Sequence, residues 1–374
     1  MKIAVLTYSH ESNCGAILQA WALKQVLMRM GLDVDVPIVK GYLERGRIYG
    51  LRYAKNFFDL VKSFIYIFFT IGIKDWIDYR FSCEIKKYFQ PLKISAKELS
   101  QYDFAVIGSD QVWNPNMGYY KLPLYLGEII PKKIPLIGYA LSLGEQDPPS
   151  SLVNRYILAV KRFSSVFVRE KFASDYIYRI CGKRCTQVID PVLLLRIEDF
   201  EKIEEKIEVS EPYIFVYALA CLEVRELIPE IMKATGVGRV VYYDGSIDFV
   251  PHKKPSGYRR FITPGQMIYL IRNARAVVTS SFHGAAFSVL ASTPFIAVTS
   301  KSSDKKFQTR AGDLLCRIGE ERRMFSTSDS KEEMCLEIVR PVDNSTKDRI
   351  HKYRSESIDF LLQAVGEIIN SRIN

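Results

Sequence analysis

One of the four histidines in this 374-residue chain has a setting suited to chemistry. His283 lies in the polar turn Ser281-Phe282-His283-Gly284. Before it comes the β-branched run Ala276–Ser280; after it comes the small, apolar run Gly284–Ser292, which Pro294 stops ahead of Phe295–Thr299. That spacing predicts a strand, a turn, a helix and a second buried strand. In open α/β sheets, ligands sit at the carboxyl ends of strands, often against the next helix's N-terminus. An imidazole placed there can donate a proton or hold an anion. The alternative is a turn histidine bonded to the backbone.

Other predicted strands end in polar groups in the same way. Tyr102–Ile107 runs into Gly108-Ser109-Asp110-Gln111-Val112-Trp113-Asn114-Pro115. Asp110 can serve as a base toward a hydroxyl, or equally close an Asx turn. Gln111 and Asn114 can contact the same ligand, as can Asn13 in the polar loop Ser9–Gly15. Arg169 ends the strand Ser165–Val168, and its planar fork suits a carboxylate or phosphate. A surface arginine paired with Glu170 or Asp175 accounts for it as well. Lys301, Lys305, Lys306 and Arg310 follow the strand after His283. They can close over an anionic ligand or form a solvated basic loop. His10 can line a cleft; His252 and His351 have no comparable setting.

These residues need a scaffold, and the chain is long enough for two cores. Lys2–Tyr8 reads as a first strand, Ala16–Met30 as a helix and Asp33–Val39 as a strand. This Rossmann-like opening lacks G-x-G-x-x-G, so dinucleotide binding is unsupported. Further strand–helix alternation predicts an α/β protein of two Rossmann-like halves facing across a cleft. The first covers residues 1–197 with an apolar, basic-flanked insertion at about 42–95. The second covers 198–345, with the junction in the charged segment Glu198–Glu211, and a C-terminal helix fills 346–374. Leu222–Thr235 is predicted as one helix, and Phe325–Asp343 resists assignment. Within the insertion, Leu60–Ile73 is shorter than the roughly 20 apolar residues that span a bilayer. It predicts a packed helix or one lying at a membrane interface.

The formal net charge of +10 favours anionic partners such as phosphorylated substrates or lipid headgroups. No dense Lys/Arg block or nucleic-acid motif stands out, so nucleic acid is the least favoured of these. Seven scattered cysteines read as reduced cytoplasmic thiols, with no metal site among them. The N-terminus reads as a strand, not a signal peptide.

Several of these stretches, in order, resemble motifs of the polysaccharide pyruvyl transferase family. NCGAILQAWAL is similar to its asparagine–glycine–leucine–glutamine opening, and GSDQVWNP resembles its GSDQxWN turn. SVFVREKFAS resembles SVRE, and VIDPVLLL resembles VxDPxxLL. TSSFHGAAFSVLASTPFIAV is similar to the SFHG-x-x-FS segment with its proline and strand, and QTRAGDLLCRIGEERRMF to the arginine-containing helix beyond. The resemblance implies a GT-B-like architecture, with the donor side in the second half and the acceptor side in the first. It implies phosphoenolpyruvate as donor, used as a co-substrate without a further cofactor or metal. The acceptor would be a hexose or hexosamine of a bacterial surface polysaccharide or its polyprenyl-diphosphate-linked precursor. The work would be cytoplasmic, with peripheral contact at the inner membrane.

Donor-site roles carry over onto Arg169 and His283, and onto a basic residue that is Lys301, Lys305 or Arg310. In the better-characterised branch the histidine follows arginine and leucine; here Ser281, itself a candidate donor contact, and Phe282 stand there. One guanidinium is missing from that segment, to be replaced by Arg310 or a lysine. Asp110 would face the acceptor hydroxyl, with Asn13, Gln111 and Asn114 beside it. The competing expectation is a GT-B glycosyltransferase using a nucleotide sugar, and a third is a non-catalytic partner in glycan assembly.

Overall fold

The computed structural model describes residues 1–41, 76–90, 92–210, 212–218, 222–244 and 257–373. Leu60–Ile73 and His252 lie outside the described residues. Two six-stranded parallel sheets dominate. The first is built from β1 (Lys2–Leu6), β2 (Asp33–Asp35), β5 (Phe104–Ile107), β6 (Leu136–Leu141), β7 (Ser165–Val168) and β8 (Thr186–Gln187), in the order β2-β1-β5-β6-β7-β8. Two short strands, β3 (Ile38–Val39) and β4 (Lys93–Ile94), pair separately. The second sheet holds β9 (Ile214–Tyr217), β10 (Val240–Tyr243), β11 (Tyr258–Arg259), β12 (Ala276–Thr279), β13 (Phe295–Thr299) and β14 (Met324–Ser326), in the order β11-β10-β9-β12-β13-β14. Strands β5, β6, β9 and β12 are buried at every residue, which is why they read as unbroken apolar runs.

The direction of strand addition reverses between β1 and β5 in one sheet and between β9 and β12 in the other. Such reversals open crevices at the strands' carboxyl ends, where ligands bind. Asp110 follows β5 and His283 follows β12, so each sheet brings one candidate residue to its own crevice.

The halves are packed together. The helix Cys14–Arg29 of the first lies against the helix Pro264–Arg272 of the second. Phe200 sits between Trp21 and Phe287, with ring centroids 5.4 and 4.9 Å away. The helical residues 76–88 bury Ile77, Phe81 and Ile85 at four-residue spacing. Phe81 meets Phe261 of the second half at 5.0 Å. The closing helix Asn344–Ile373 runs back from the second half to the first. Arg349 donates to the Ile318 carbonyl, and Arg354 donates to those of Leu193 and Leu195.

Some elements differ from expectation for local reasons. The predicted strand Asp33–Val39 is split between two sheets around Pro37, which has no N–H for a ladder. The predicted helix Leu222–Thr235 is a 3-10 segment, Leu222–Leu227, followed by an α-helix, Ile228–Thr235, with Pro229 in its first turn. Phe325–Asp343 contains the end of β14 and a helix, Lys331–Glu337.

Candidate active site

His283 is set by its own helix start. The Ser281 hydroxyl accepts from the Gly284 amide at 3.4 Å, and the Ser281 amide donates to Thr279 Oγ1 at 3.0 Å. Ser281 is therefore the N-cap of the helix Phe282–Ala291. His283 stands in that helix's first turn, not in the polar turn its sequence suggested. Ser292, in the left-handed region at φ 57°, ends the helix before Pro294 is reached. The imidazole crosses to the first half: a Cβ built on Gly15 would lie 2.3 Å from His283 Nδ1. Only a glycine permits that approach, so the start of the first helix forms one wall of the site.

Arg169, at the end of β7, is buried among carboxylates. Its Nε donates to Glu170 at 2.7 Å and its Nη1 to Asp190 Oδ2 at 2.8 Å. The guanidinium lies 4.3 Å from the Phe282 ring centroid. The pairing with Glu170 foreseen from sequence exists, but in the interior; Asp175 pairs with Lys171 instead. Asp110 Oδ1 stands 3.8 Å from Arg169 Nη2 and 3.9 Å from Arg310 Nη1, and accepts from the Gln111 amide at 2.8 Å. The turn carrying it is special: Asp110 has φ 71°, and a Cβ on Gly108 would sit 2.1 Å from the Tyr139 carbonyl oxygen.

Three cationic or protonatable side chains thus face one another across the two halves. Each keeps a buried nitrogen without a hydrogen-bond partner: Arg169 Nη2, His283 Nε2 and Arg310 Nε. Buried polar atoms are nearly always satisfied, and these three nitrogens, with the unsatisfied Glu170 Oε2 beside Arg169, are exceptions gathered in one place. Burial favours the neutral imidazole and lowers the His283 pKa; Asp190 and Asp110 oppose this, and Arg169 and Arg310 add to it. Burial would raise the Asp110 carboxyl, but Arg169, His283 and Arg310 outweigh it and hold it below the usual carboxylate range. Burial likewise raises Glu170, against the pull of Arg169.

The remaining candidates divide. Gln111 lies 3.2 Å from Arg310 Nη1 and 2.8 Å from Asn114 Nδ2, so both border the site. Asn114 also caps a 3-10 turn, Pro115–Met117. Asn13 is the N-cap of Cys14–Arg29, its side chain accepting from Ala16 at 3.2 Å. Lys301 reaches the site edge, 2.5 Å from Glu145 Oε2. Lys305 is exposed, and Lys306 is held by Asp329 at 2.6 Å. Arg310 is therefore the downstream cation nearest Asp110 and Arg169. His10 bonds Ser9 Oγ at 2.6 Å, and His351 is exposed on the last helix.

Four participants escaped the sequence reading. Glu145 follows the Ser142-Leu143-Gly144 turn and reaches across to Lys301 and Arg310. Asp190, Ser109 and Gln19 form a buried chain, with Ser109 Oγ 2.9 Å from Gln19 Oε1 and 3.4 Å from Asp190 Oδ2. The polar residues inside the NCGAILQ, GSDQ and DP stretches were their only signal.

A family model described as polysaccharide pyruvyl transferase matches residues 13–302, which include Asp110, Arg169, Asp190 and His283 but not Arg310. The chain belongs to the polysaccharide pyruvyl transferase family. It is accordingly a transferase enzyme. No curated protein sequence matches it. Among solved structures, UDP-GlcNAc 2-epimerase from Methanocaldococcus jannaschii in complex with UDP-GlcNAc and UDP is similar, at 13% identity and a TM-score of 0.50, over 98% of this chain and 100% of that one. UGT89C1 of Arabidopsis thaliana complexed with quercetin follows at 10% identity and a TM-score of 0.49, over 98% and 99%. At such identities the likeness is one of fold. This pyruvyl transferase family member shares the GT-B arrangement of two Rossmann-like halves facing across a cleft. No helix among its described residues is long and apolar enough to cross a membrane.

Proposed function

We propose that this family member moves pyruvate from phosphoenolpyruvate onto two hydroxyls of a hexose or hexosamine, in a bacterial surface polysaccharide or its polyprenyl-diphosphate-linked precursor. The observation that carries this reading is the set of buried nitrogens without a hydrogen-bond partner on Arg169, His283 and Arg310. Phosphoenolpyruvate presents a phosphate and a carboxylate close together, which matches a small site with two guanidiniums and a proton donor. Family membership supports the reaction class.

In the proposed reaction His283 Nε2 gives its proton to the methylene carbon, and C2 takes up the positive charge. One sugar hydroxyl adds to C2 and returns a proton to His283. A second hydroxyl closes the ketal as the C2–O bond to phosphate breaks, and phosphate leaves with that hydroxyl's proton. Arg169 and Arg310 balance the donor's charges, and Asp110 orients the acceptor. The net charge of +10 suits a lipid-linked anionic acceptor at the cytoplasmic membrane face.

Purified protein incubated with phosphoenolpyruvate and a panel of polyprenyl-diphosphate-linked saccharides should release phosphate and yield a pyruvylated product by mass spectrometry. Thermal stabilisation by nucleotide sugars alone, with no phosphate release across the panel, would instead make it a glycosyltransferase.

A further inference from the structure

The stretches NCGAILQ, GSDQ, VRE, DP and SFHG meet on one carboxylate that the reaction above leaves without a role. Asp190 is buried, and its two oxygens have separate tasks. Oδ1 accepts from the Val192 amide at 3.1 Å and caps the short helix Pro191–Leu194. The cap does not account for Oδ2, which accepts from Arg169 Nη1 at 2.8 Å, has Ser109 Oγ at 3.4 Å and stands 3.9 Å from His283 Nε2. Ser109 is held in turn by Gln19, whose Nε2 donates to Thr7 Oγ1 at 3.0 Å and to the Ala16 carbonyl at 3.0 Å. The carboxylate is thus fixed from the first half, and the imidazole it faces comes from the second.

We propose that Asp190 is a positioning residue: it orients the Arg169 guanidinium, and its charge beside His283 Nε2 lets a buried imidazole take up the proton it delivers. The second clause rests on the reading of His283 as proton donor. The groups facing that imidazole are Asp190 and Asp110, which favour its protonation, and Arg169 and Arg310, which oppose it. Without Asp190 two guanidiniums would face the imidazole with one carboxylate, and the protonated form would be disfavoured further.

Imidazole NMR titration of the full-length protein, without donor or acceptor, tests this directly. The chain has only four histidines, and the His283→Gln spectrum identifies the signal. In Asp190→Asn, which keeps an oxygen for the Val192 cap, the His283 midpoint should fall by about one pH unit. An unchanged or raised midpoint overturns the proposal. Asp190→Glu is the second arm, and it decides the matter if the Asn variant does not fold. It retains the charge, so His283 should titrate close to wild type; a fall as large as the one expected for Asn overturns the proposal. Because neither measurement involves turnover, failure of the phosphate-release assay would leave this result standing, and failure here would not touch that assay.

Discussion

Burial keeps the His283 imidazole neutral in the donor-free protein at neutral pH, so in the proposed reaction its proton must arrive with the donor. A phosphate bound against Nε2 adds negative charge and raises the imidazole's proton affinity. A general acid loses activity as pH rises through its pKa. The falling limb of kcat/KM for phosphoenolpyruvate, which reports the free enzyme, should therefore lie below the ordinary histidine value of about 6.5. The falling limb of kcat, which reports the complex, should lie above that of kcat/KM; coincident limbs would contradict the assignment. His283→Gln should lower kcat by about 10²- to 10⁴-fold while leaving Tm near wild type. At this scale the sequence was partly legible. A lone histidine after a β-branched run stood out, whereas the arginine after β7 read as well as a surface residue until the family resemblance gave it a role. Arg310 did not stand out from Lys301 and Lys305, because only the tertiary fold turns it inward toward Asp110. Asp190 was hidden for the opposite reason: an Asp before Pro already has a sufficient purpose as a cap.

The elements were legible wherever a strand is buried on both faces, since such strands are unbroken apolar runs. Misreadings cluster at starts and breaks. The predicted helix Ala16–Met30 begins at Cys14, because Asn13 caps it, and the helix after β12 begins at Phe282, because Ser281 caps that one. Both caps matter for the site, since the two helix starts abut through Gly15 and His283. A methyl at Gly15 would also come within 2.5 Å of His283 Cγ, and the helix backbone beneath it cannot yield far. Gly15→Ala should cost about 1–3 kcal/mol as overpacking. It should also reduce phosphate release by at least tenfold, because the imidazole is displaced. A variant with full activity and unchanged Tm would show that this contact does not set the ring's position. Ser281→Ala, which removes only the cap, should cost about 1 kcal/mol by denaturant unfolding.

Across the whole molecule, ion pairs join the halves both away from the site, as Arg29 with Asp199 and Lys87 with Glu205 do, and at its edge. Glu145 of the first half holds Lys301 at 2.5 Å and lies 3.9 Å from Arg310 Nε. Asp313 of the second accepts from the Lys171 amide at 3.1 Å and from Gln187 Nε2 at 3.0 Å. Nothing in a sequence pairs Glu145 with residues more than a hundred positions away, so this layer could not be read before the fold. Glu145 occupies the cations a donor phosphate would seek. Glu145→Gln should therefore lower KM for phosphoenolpyruvate about 3- to 10-fold at low salt, with the difference shrinking as salt rises. A raised KM would mean that the carboxylate helps to build the site. The contact between Gly15 and His283 has a wider consequence. In the proposed reaction the proton donor rides on one half and its backstop on the other, so the site would work as a coincidence detector. If the halves part by even a few ångströms, the imidazole leaves Asp110, Arg169 and Asp190 behind, and a donor bound to the open form meets no acid. Protection of phosphoenolpyruvate from wasteful reaction with water would then, in the proposed reaction, be a matter of timing, set by when the two halves meet.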